Sequence, residues 1–201
     1  MPGDSLTEAA QWSEITGCPF GANRGIAADD SAGVLKRIDE VIALKPTAVF
    51  LMIGINDVNS SVPAVKIVAN VRQTIERLTK ARIHVYLTLV LPVAKSFSQQ
   101  INPKVDELNA AYQELAVQTG ASVVDFRKGV RTESGFLRDE LSIDGVHLTP
   151  AGYRLWRDAL APYIRKHCSI SASDLANMGL IKNDSSSTPL PGLATCPDTR
   201  P

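Results

Sequence analysis

The segment TAVFLMI, residues 47–53, is apolar without interruption from Ala48 to Ile53. Its length suits a strand better than a helix, and it carries β-branched and aromatic side chains. A strand that is apolar on both faces is typical of a parallel sheet, because helices cover both sides of such a sheet. We therefore predict that residues 47–53 form a buried strand of a parallel sheet.

Two further segments have the same character: IHVYLTLVL, residues 83–91, and ASVVDF, residues 121–126. Apolar stripes with helical spacing alternate with these runs. The stripes are Val34, Leu35, Ile38, Val41 and Ile42; Val68, Val71, Ile75 and Leu78; Val105, Leu108, Tyr112 and Leu115; Leu155, Trp156, Leu160, Tyr163 and Ile164. Thr149 and Pro150 suit the N-cap and first position of the last helix. This alternation predicts a three-layer α/β/α sandwich.

The helical pattern ends after His167, and the remaining chain is rich in Ser, Pro and Thr. Such a composition buries too little apolar surface to offset the entropy of ordering the chain. We therefore predict one folded domain, residues 1–167, and a loosely ordered tail, residues 168–201.

The overall composition excludes several classes of partner. The chain has 201 residues, with 21 Lys plus Arg balancing 21 Asp plus Glu, so no net charge steers it to nucleic acid. No apolar run reaches the roughly 18 residues that a membrane span needs. The three cysteines are widely spaced, which indicates ordinary thiols rather than a zinc site or a complete disulfide framework. A small or neutral partner is favoured, and the sequence indicates neither compartment nor oligomeric state.

Asp144 and His147 lie three positions apart, just ahead of the last predicted helix. The aspartate can hold the Nδ1 proton of the imidazole and leave Nε2 free as a base. Alternatively, the histidine packs at the helix start while the aspartate accepts hydrogen bonds from loop amides.

Three other residues would complete an acyl-transfer site. Ser5 offers a hydroxyl that a histidine base can activate. Asn56, at the carboxyl end of the strand 47–53, offers a side-chain NH₂, while Gly25 and Ser5 offer backbone N–H groups to an oxyanion. Asp57 could pair with a histidine, but hydrogen bonding within its loop is favoured. The loop 92–103 is either a solvated surface loop or a source of pocket walls, through Val93 and Phe97.

The blocks GDSLTE, NRGIAADDSAGVL, FLMIGIND and DGVHLTPAGY occur in the order found in the SGNH (GDSL) hydrolases. Over about residues 3–165 the chain resembles that superfamily, and most of all its bacterial branch akin to platelet-activating-factor acetylhydrolase subunits. The resemblance implies a flavodoxin-like sheet, a small-molecule acyl ester as substrate, and neither metal nor organic cofactor. It also implies a role for each of five residues: Ser5 as nucleophile, His147 as general base and then acid, Asp144 as the carboxylate that orients His147, and Ser5, Gly25 and Asn56 as oxyanion-hole donors.

The start of the chain departs from this family pattern, in which the nucleophile follows a central strand. Only four residues precede Ser5, fewer than an ordinary strand contains. We expect the second strand near residues 19–23, and a first strand between it and residues 47–53 that this chain lacks. Either the natural start is missing, which we favour, or Pro2 and Gly3 enter from a rearranged edge.

The function that the sequence favours is a serine esterase for a small acyl ester, acetyl or another short chain. A catalytically silent binding domain with the same fold is an alternative, because the first strand is absent. A thioesterase or a carbohydrate O-deacetylase using the same residues is a second alternative, since it differs only in the pocket.

Overall fold

A computed structural model describes residues 1–18 and 21–168, which form strands and helices in alternation. The strands β3, β4 and β5 form a parallel sheet in that order, and β1 pairs in parallel with β2. One bridge, between Gly3 and Met52, joins the two groups. The predicted α/β class with a parallel sheet is confirmed. The strands are β1 (Pro2–Gly3), β2 (Arg24–Gly25), β3 (Ala48–Leu51), β4 (His84–Thr88) and β5 (Ser122–Val124).

Helices follow the predicted stripes, with one break. Arg37, at φ −104° and ψ 9°, interrupts the stripe of residues 34–42, which is therefore divided between α3 and α4. Thr149 caps the last helix as predicted, accepting a hydrogen bond from the Gly152 N–H. The helices are α1 (Ser5–Glu8), α2 (Trp12–Thr16), α3 (Ser31–Lys36), α4 (Ile38–Ala43), α5 (Ile55–Asn59), α6 (Ala64–Lys80), α7 (Ile101–Thr119), α8 (Arg127–Val130) and α9 (Pro150–Ile164), with a 3-10 helix at Asp139–Leu141.

Two groups of helices enclose the core. The helix α6 packs against both α3 and α7, while α2 packs against α9. Trp12 of α2 meets Trp156 of α9 edge to face, with ring centroids 4.7 Å apart. These two indoles are both buried, and burial of large aromatic side chains dominates core energetics. Described residues include no helix that is both long and apolar enough to cross a bilayer.

The first strand is present in short form, which corrects the expectation that this chain lacks it. Pro2 and Gly3 lie between β2 and β3, in register with Arg24 and Gly25. The second strand is at Arg24–Gly25, because its position is set by pairing with β1 and not by apolar composition. Of the expected range 19–23, residues 21–23 are not in a strand, and residues 19 and 20 lie outside the described residues. A Cβ on Gly3 would lie 2.6 Å from the Met52 carbonyl oxygen, so only glycine permits this approach. The strand β1 therefore ends two positions before Ser5.

Cys18 and Cys168 form a disulfide, with Cα atoms 5.8 Å apart. The expectation of ordinary thiols is wrong for this pair. The two residues are 150 positions apart, so spacing could not reveal the bond. The compact unit runs from Met1 to Cys168. Cys196 and the predicted tail after Cys168 lie outside the described residues.

Candidate active site

The candidate catalytic residues meet where β1 and β3 end. Ser5 is the first residue of α1 and directly follows β1 and Asp4. Asp4 is the N-cap of α1, and its Oδ1 accepts a hydrogen bond of 3.0 Å from the Leu6 N–H. Asp and Ser are favoured at helix starts because their side chains satisfy free N–H groups there. The short α1 therefore fixes Ser5 at the edge of the sheet.

Ser5, His147 and Asp144 form a hydrogen-bonded chain. The Ser5 Oγ lies 2.9 Å from His147 Nε2, and His147 Nδ1 lies 2.6 Å from Asp144 Oδ2. An ionised Asp144 only accepts, so Nδ1 carries the proton and Nε2 accepts the Ser5 hydroxyl proton. Asp144 Oδ1 also accepts from the N–H groups of Val146 and His147. Asp144 therefore holds both the imidazole and the loop amides.

Hydrogen bonds of the surrounding loops fix the turn that carries Asp144 and His147. The Ser142 hydroxyl accepts from the Gly145 N–H and donates to the His147 carbonyl. The Ala94 N–H donates to the Gly145 carbonyl over 2.7 Å. Buried Asn102 of α7 binds both the N–H and the carbonyl of Val93, next to Ala94. This turn is thus connected to α7 through residues 92–100, because the predicted loop 92–103 ends where α7 begins at Ile101.

The two carboxylates near Ser5 have opposite pKa shifts. Desolvation of Asp144 acts to raise its pKa, but hydrogen bonds from the His147 ring and from two backbone N–H groups outweigh it and lower the pKa to about 2. Asp4 is buried, and desolvation raises its pKa to about 6. Asp144 is therefore ionised at neutral pH, whereas the carboxyl group of Asp4 titrates closer to pH 7.

The three expected oxyanion donors differ in how they are engaged. The Ser5 N–H belongs to the first turn of α1, where N–H groups have no partner inside the helix. Asn56 donates one Nδ2 hydrogen to the Asp29 carbonyl over 2.8 Å, and its amide has a second hydrogen. The Gly25 N–H donates to Asn23 Oδ1 over 2.9 Å. A Cβ on Gly25 would lie 2.2 Å from the Glu8 N atom, so Gly25 also permits close packing on α1.

Other residues that the sequence singled out have structural contacts. Asp57 is buried and accepts from both the N–H and the hydroxyl of Ser31. Of the two candidate pocket walls, Val93 is buried, whereas Phe97 is 44% exposed and lies against Gly145.

Asn23 and Asn102, which the sequence did not single out as site residues, hold the loops on either side of the site. Asn23 binds Gly25 through Oδ1 and donates through Nδ2 to the carbonyls of Glu8 and Ala10. Asn102 is buried on the mainly apolar face of α7, which also buries Asn109. A buried polar residue needs a partner, so this position was the available signal for Asn102.

Two cavities, of about 480 and 440 Å³, lie away from these residues. The larger one is lined by residues from the start of β3 and from the disulfide, and the smaller one by the segment before α6 and by α7. Ser5, Asn56 and His147 line neither cavity. Their own site is open, with 40% of the His147 side chain and 50% of the Asp144 side chain exposed. In the described part of the chain, no cluster of three or more His, Cys, Asp or Glu side chains could hold a metal ion.

Comparison with known proteins gives the same family. Residues 3–155 match the model of the GDSL-like lipase/acylhydrolase family. A Streptococcus pneumonia protein provisionally assigned as a platelet activating factor is 28% identical, with a TM-score of 0.72 over 81% of each chain. A GDSL-like lipase from Bacteroides thetaiotaomicron is also 28% identical, with a TM-score of 0.71 over 82% of this chain and 86% of the other.

An acetylxylan esterase from Geobacillus stearothermophilus has the same fold at 21% identity, with a TM-score of 0.69 over 81% of this chain and 91% of the other. Among curated proteins, none matches this chain. The family match covers most of the chain and includes all four sequence blocks. It ends at residue 155, within α9. The chain therefore belongs to the GDSL-like lipase/acylhydrolase family and is an ester hydrolase of the GDSL type.

Proposed function

We propose that the protein is a serine esterase that cleaves a small acyl ester through Ser5, His147 and Asp144. The observation that supports this most is the hydrogen-bonded chain from Ser5 Oγ through the His147 ring to Asp144, with separations of 2.9 and 2.6 Å. Both separations are within the range at which a base can take up the proton of a nucleophile.

In the proposed reaction, His147 Nε2 removes the Ser5 hydroxyl proton while Oγ attacks the ester carbonyl carbon. The protonated imidazole remains paired with Asp144, whose low pKa keeps it an anion. His147 then gives the proton to the leaving alkoxide, which departs as the alcohol. Water, activated by the same imidazole, attacks the acyl-serine and releases the acid.

The oxyanion of each tetrahedral intermediate would be bound by the N–H of Ser5 and the second Nδ2 hydrogen of Asn56. Gly25 is the third proposed donor. Because the Gly25 N–H donates to Asn23 in the resting structure, it has to exchange this partner for the oxyanion during the reaction. Such donors stabilise charge that develops in the transition state more than they stabilise the substrate.

We further propose an acetyl or another short acyl group as the part that reaches Ser5. The exposed side chains of His147 and Asp144 show that the site opens to solvent, where a bulky alcohol can remain. Two proteins with the same fold are named acetylxylan esterases, which favours a carbohydrate O-acetyl group as the second candidate substrate. Thioester cleavage is the other variant of the same chemistry.

The test is labelling with a fluorophosphonate, combined with hydrolysis of p-nitrophenyl acetate by the parent protein and by Ser5→Ala. We expect one modified serine, mapped to Ser5 by mass spectrometry, and no ester hydrolysis by the variant. A folded parent protein that is neither labelled nor active would instead support the silent binding domain. Relative kcat/KM values for acetylated xylan, an acetyl thioester and p-nitrophenyl esters of increasing chain length then separate the substrate classes.

A further inference from the structure

Arg37 lies between α3 and α4 and reaches towards the candidate active site. Its side chain is only 12% exposed. The Nε and Nη2 atoms bind Asp29 Oδ2 at 2.8 and 2.7 Å. Nη1 donates to the Arg24 carbonyl over 2.8 Å, and Nη2 donates to the Gly3 carbonyl over 3.1 Å. One guanidinium group therefore joins three separate positions of the chain.

Two of the three partners are close in the chain to a proposed catalytic group, and the third binds one directly. Gly3 is the last residue of β1, two positions before Ser5. Arg24 directly precedes Gly25. Asp29 presents its carbonyl to the Asn56 side chain and its carboxylate to Arg37. The contacts of Arg37 thus reach the segments that carry Ser5 and Gly25, and the residue that binds Asn56.

The number of these contacts exceeds what charge neutralisation requires. Asp29 alone would neutralise the guanidinium, but Arg37 also uses two N–H groups on backbone carbonyls. Only arginine presents several donors in a fixed plane, whereas lysine has a compact ammonium group that binds as a point charge. The planar group therefore sets the distances between β1, β2 and the loop 26–29.

We propose that Arg37 is a positioning residue of the active site. It touches no reacting atom, and it holds the Gly3 carbonyl, the Arg24 carbonyl and Asp29 so that the oxyanion donors converge on one point. This inference rests on the proposed function of Ser5 and Asn56. Catalysis by preorganised donors is sensitive to displacements of about 1 Å, which can lower turnover about 10²-fold.

The test compares Arg37→Met and Arg37→Lys with the control Glu40→Gln. Glu40 lies on α4 and forms an exposed ion pair with Arg24, so this control removes a charged contact to a residue that Arg37 also binds, without touching Arg37. We expect Arg37→Met to lower kcat for p-nitrophenyl acetate about 10- to 100-fold with little change in KM. Arg37→Lys should recover only part of this loss, and Glu40→Gln should behave as the parent protein.

Hydrogen–deuterium exchange supplies a readout that needs no activity. We expect the amides of residues 22–30 to exchange faster in Arg37→Met than in the parent protein, and at the parental rate in Glu40→Gln. Should Arg37→Met fail to fold, Arg37→Lys decides by the same two measurements. A folded variant with parental kcat, or with parental exchange, overturns the proposal. If the parent protein has no esterase activity, only the proposed function is refuted, because the exchange measurement still tests whether Arg37 holds residues 22–30.

Discussion

Ser5 Oγ and His147 Nε2 lie 2.9 Å apart, although 142 positions separate the two residues in the chain. Because the two groups act on one proton in the proposed reaction, removal of either should lower kcat as much as removal of both. We expect Ser5→Ala and His147→Ala each to lower kcat by about 10⁶, and the double variant to be no worse. Initial rates with p-nitrophenyl acetate measure this. Losses that multiply in the double variant would show that the two residues act independently.

Substitution Asp144→Asn tests the carboxylate that orients His147. An asparagine amide can donate to Nδ1 and stabilise the wrong tautomer, so we expect kcat to fall about 10²- to 10⁴-fold with KM nearly unchanged. The control is Asp158→Asn on α9, which removes an exposed carboxylate paired with Arg157. Equal activities for the two variants would contradict the role of Asp144.

Removal of the Asn56 side-chain amide should weaken oxyanion binding. We expect Asn56→Ala to lower kcat about 10²- to 10³-fold, because the variant loses one of the donors that stabilise the negative charge of the transition state. Asn59→Ala provides a matched control, since Asn59 lies on the same helix, α5, and is exposed. Parental turnover by Asn56→Ala would remove this residue from the proposed oxyanion hole.

Buried Asp4 should make the fold less stable as pH rises. Burial raises its pKa from 3.8 to about 6, so the folded chain binds this proton more tightly than the unfolded chain does. The resulting stability is fully present below pH 3.8 and is lost as pH rises through about 6. Because of this difference in proton binding, the free energy of unfolding is about 3 kcal/mol lower at neutral pH than below pH 3.8.

Asp4→Asn keeps a side-chain acceptor for the N-cap but cannot ionise. We therefore expect this variant to gain stability relative to the parent protein between pH 4 and pH 7. Urea unfolding at several pH values measures the difference. Parallel pH profiles for the two proteins would show that Asp4 carries no such linkage.

The disulfide between Cys18 and Cys168 should contribute a large part of the stability of the fold. It connects residues 150 positions apart, and closing a loop of this length restricts the unfolded chain by about 3 to 5 kcal/mol. We expect the double variant Cys18→Ser, Cys168→Ser to melt on the order of 10 °C lower than the oxidised parent protein. The reduced parent protein should melt with the variant, and a melting temperature independent of reductant would contradict this prediction.

The sequence predicts β3, β4 and β5 well, because a strand buried on both faces is apolar along its whole length. It does not predict β2 at Arg24–Gly25, since two residues of mixed polarity become a strand only by pairing with Pro2–Gly3. The break at Arg37 is also hidden, because the apolar stripe continues across it. The composition of a segment indicates how deeply it is buried, whereas β2 and the helix break at Arg37 depend on contacts between distant segments.

For the candidate site, the four sequence blocks identify the side chains that meet at Ser5. They cannot show that Asn23 holds the Gly25 N–H or that Arg37 binds two backbone carbonyls. A charged residue within a predicted helical stripe is usually solvated, so nothing in the local sequence distinguishes Arg37 from Arg24, whose side chain is 39% exposed. Local motifs thus predict which residues meet at the site, but they do not predict the contacts that hold those residues in place.

The bond between Cys18 and Cys168 closes the intervening chain into a covalent ring. Ser5 lies on the short arm before this ring, whereas Asp144 and His147 belong to the ring itself. A protease that cuts at the exposed Lys95 would open the ring without releasing a fragment. The nicked protein would remain a single molecule, with the proposed nucleophile and the proposed base on two peptides that only reduction can separate.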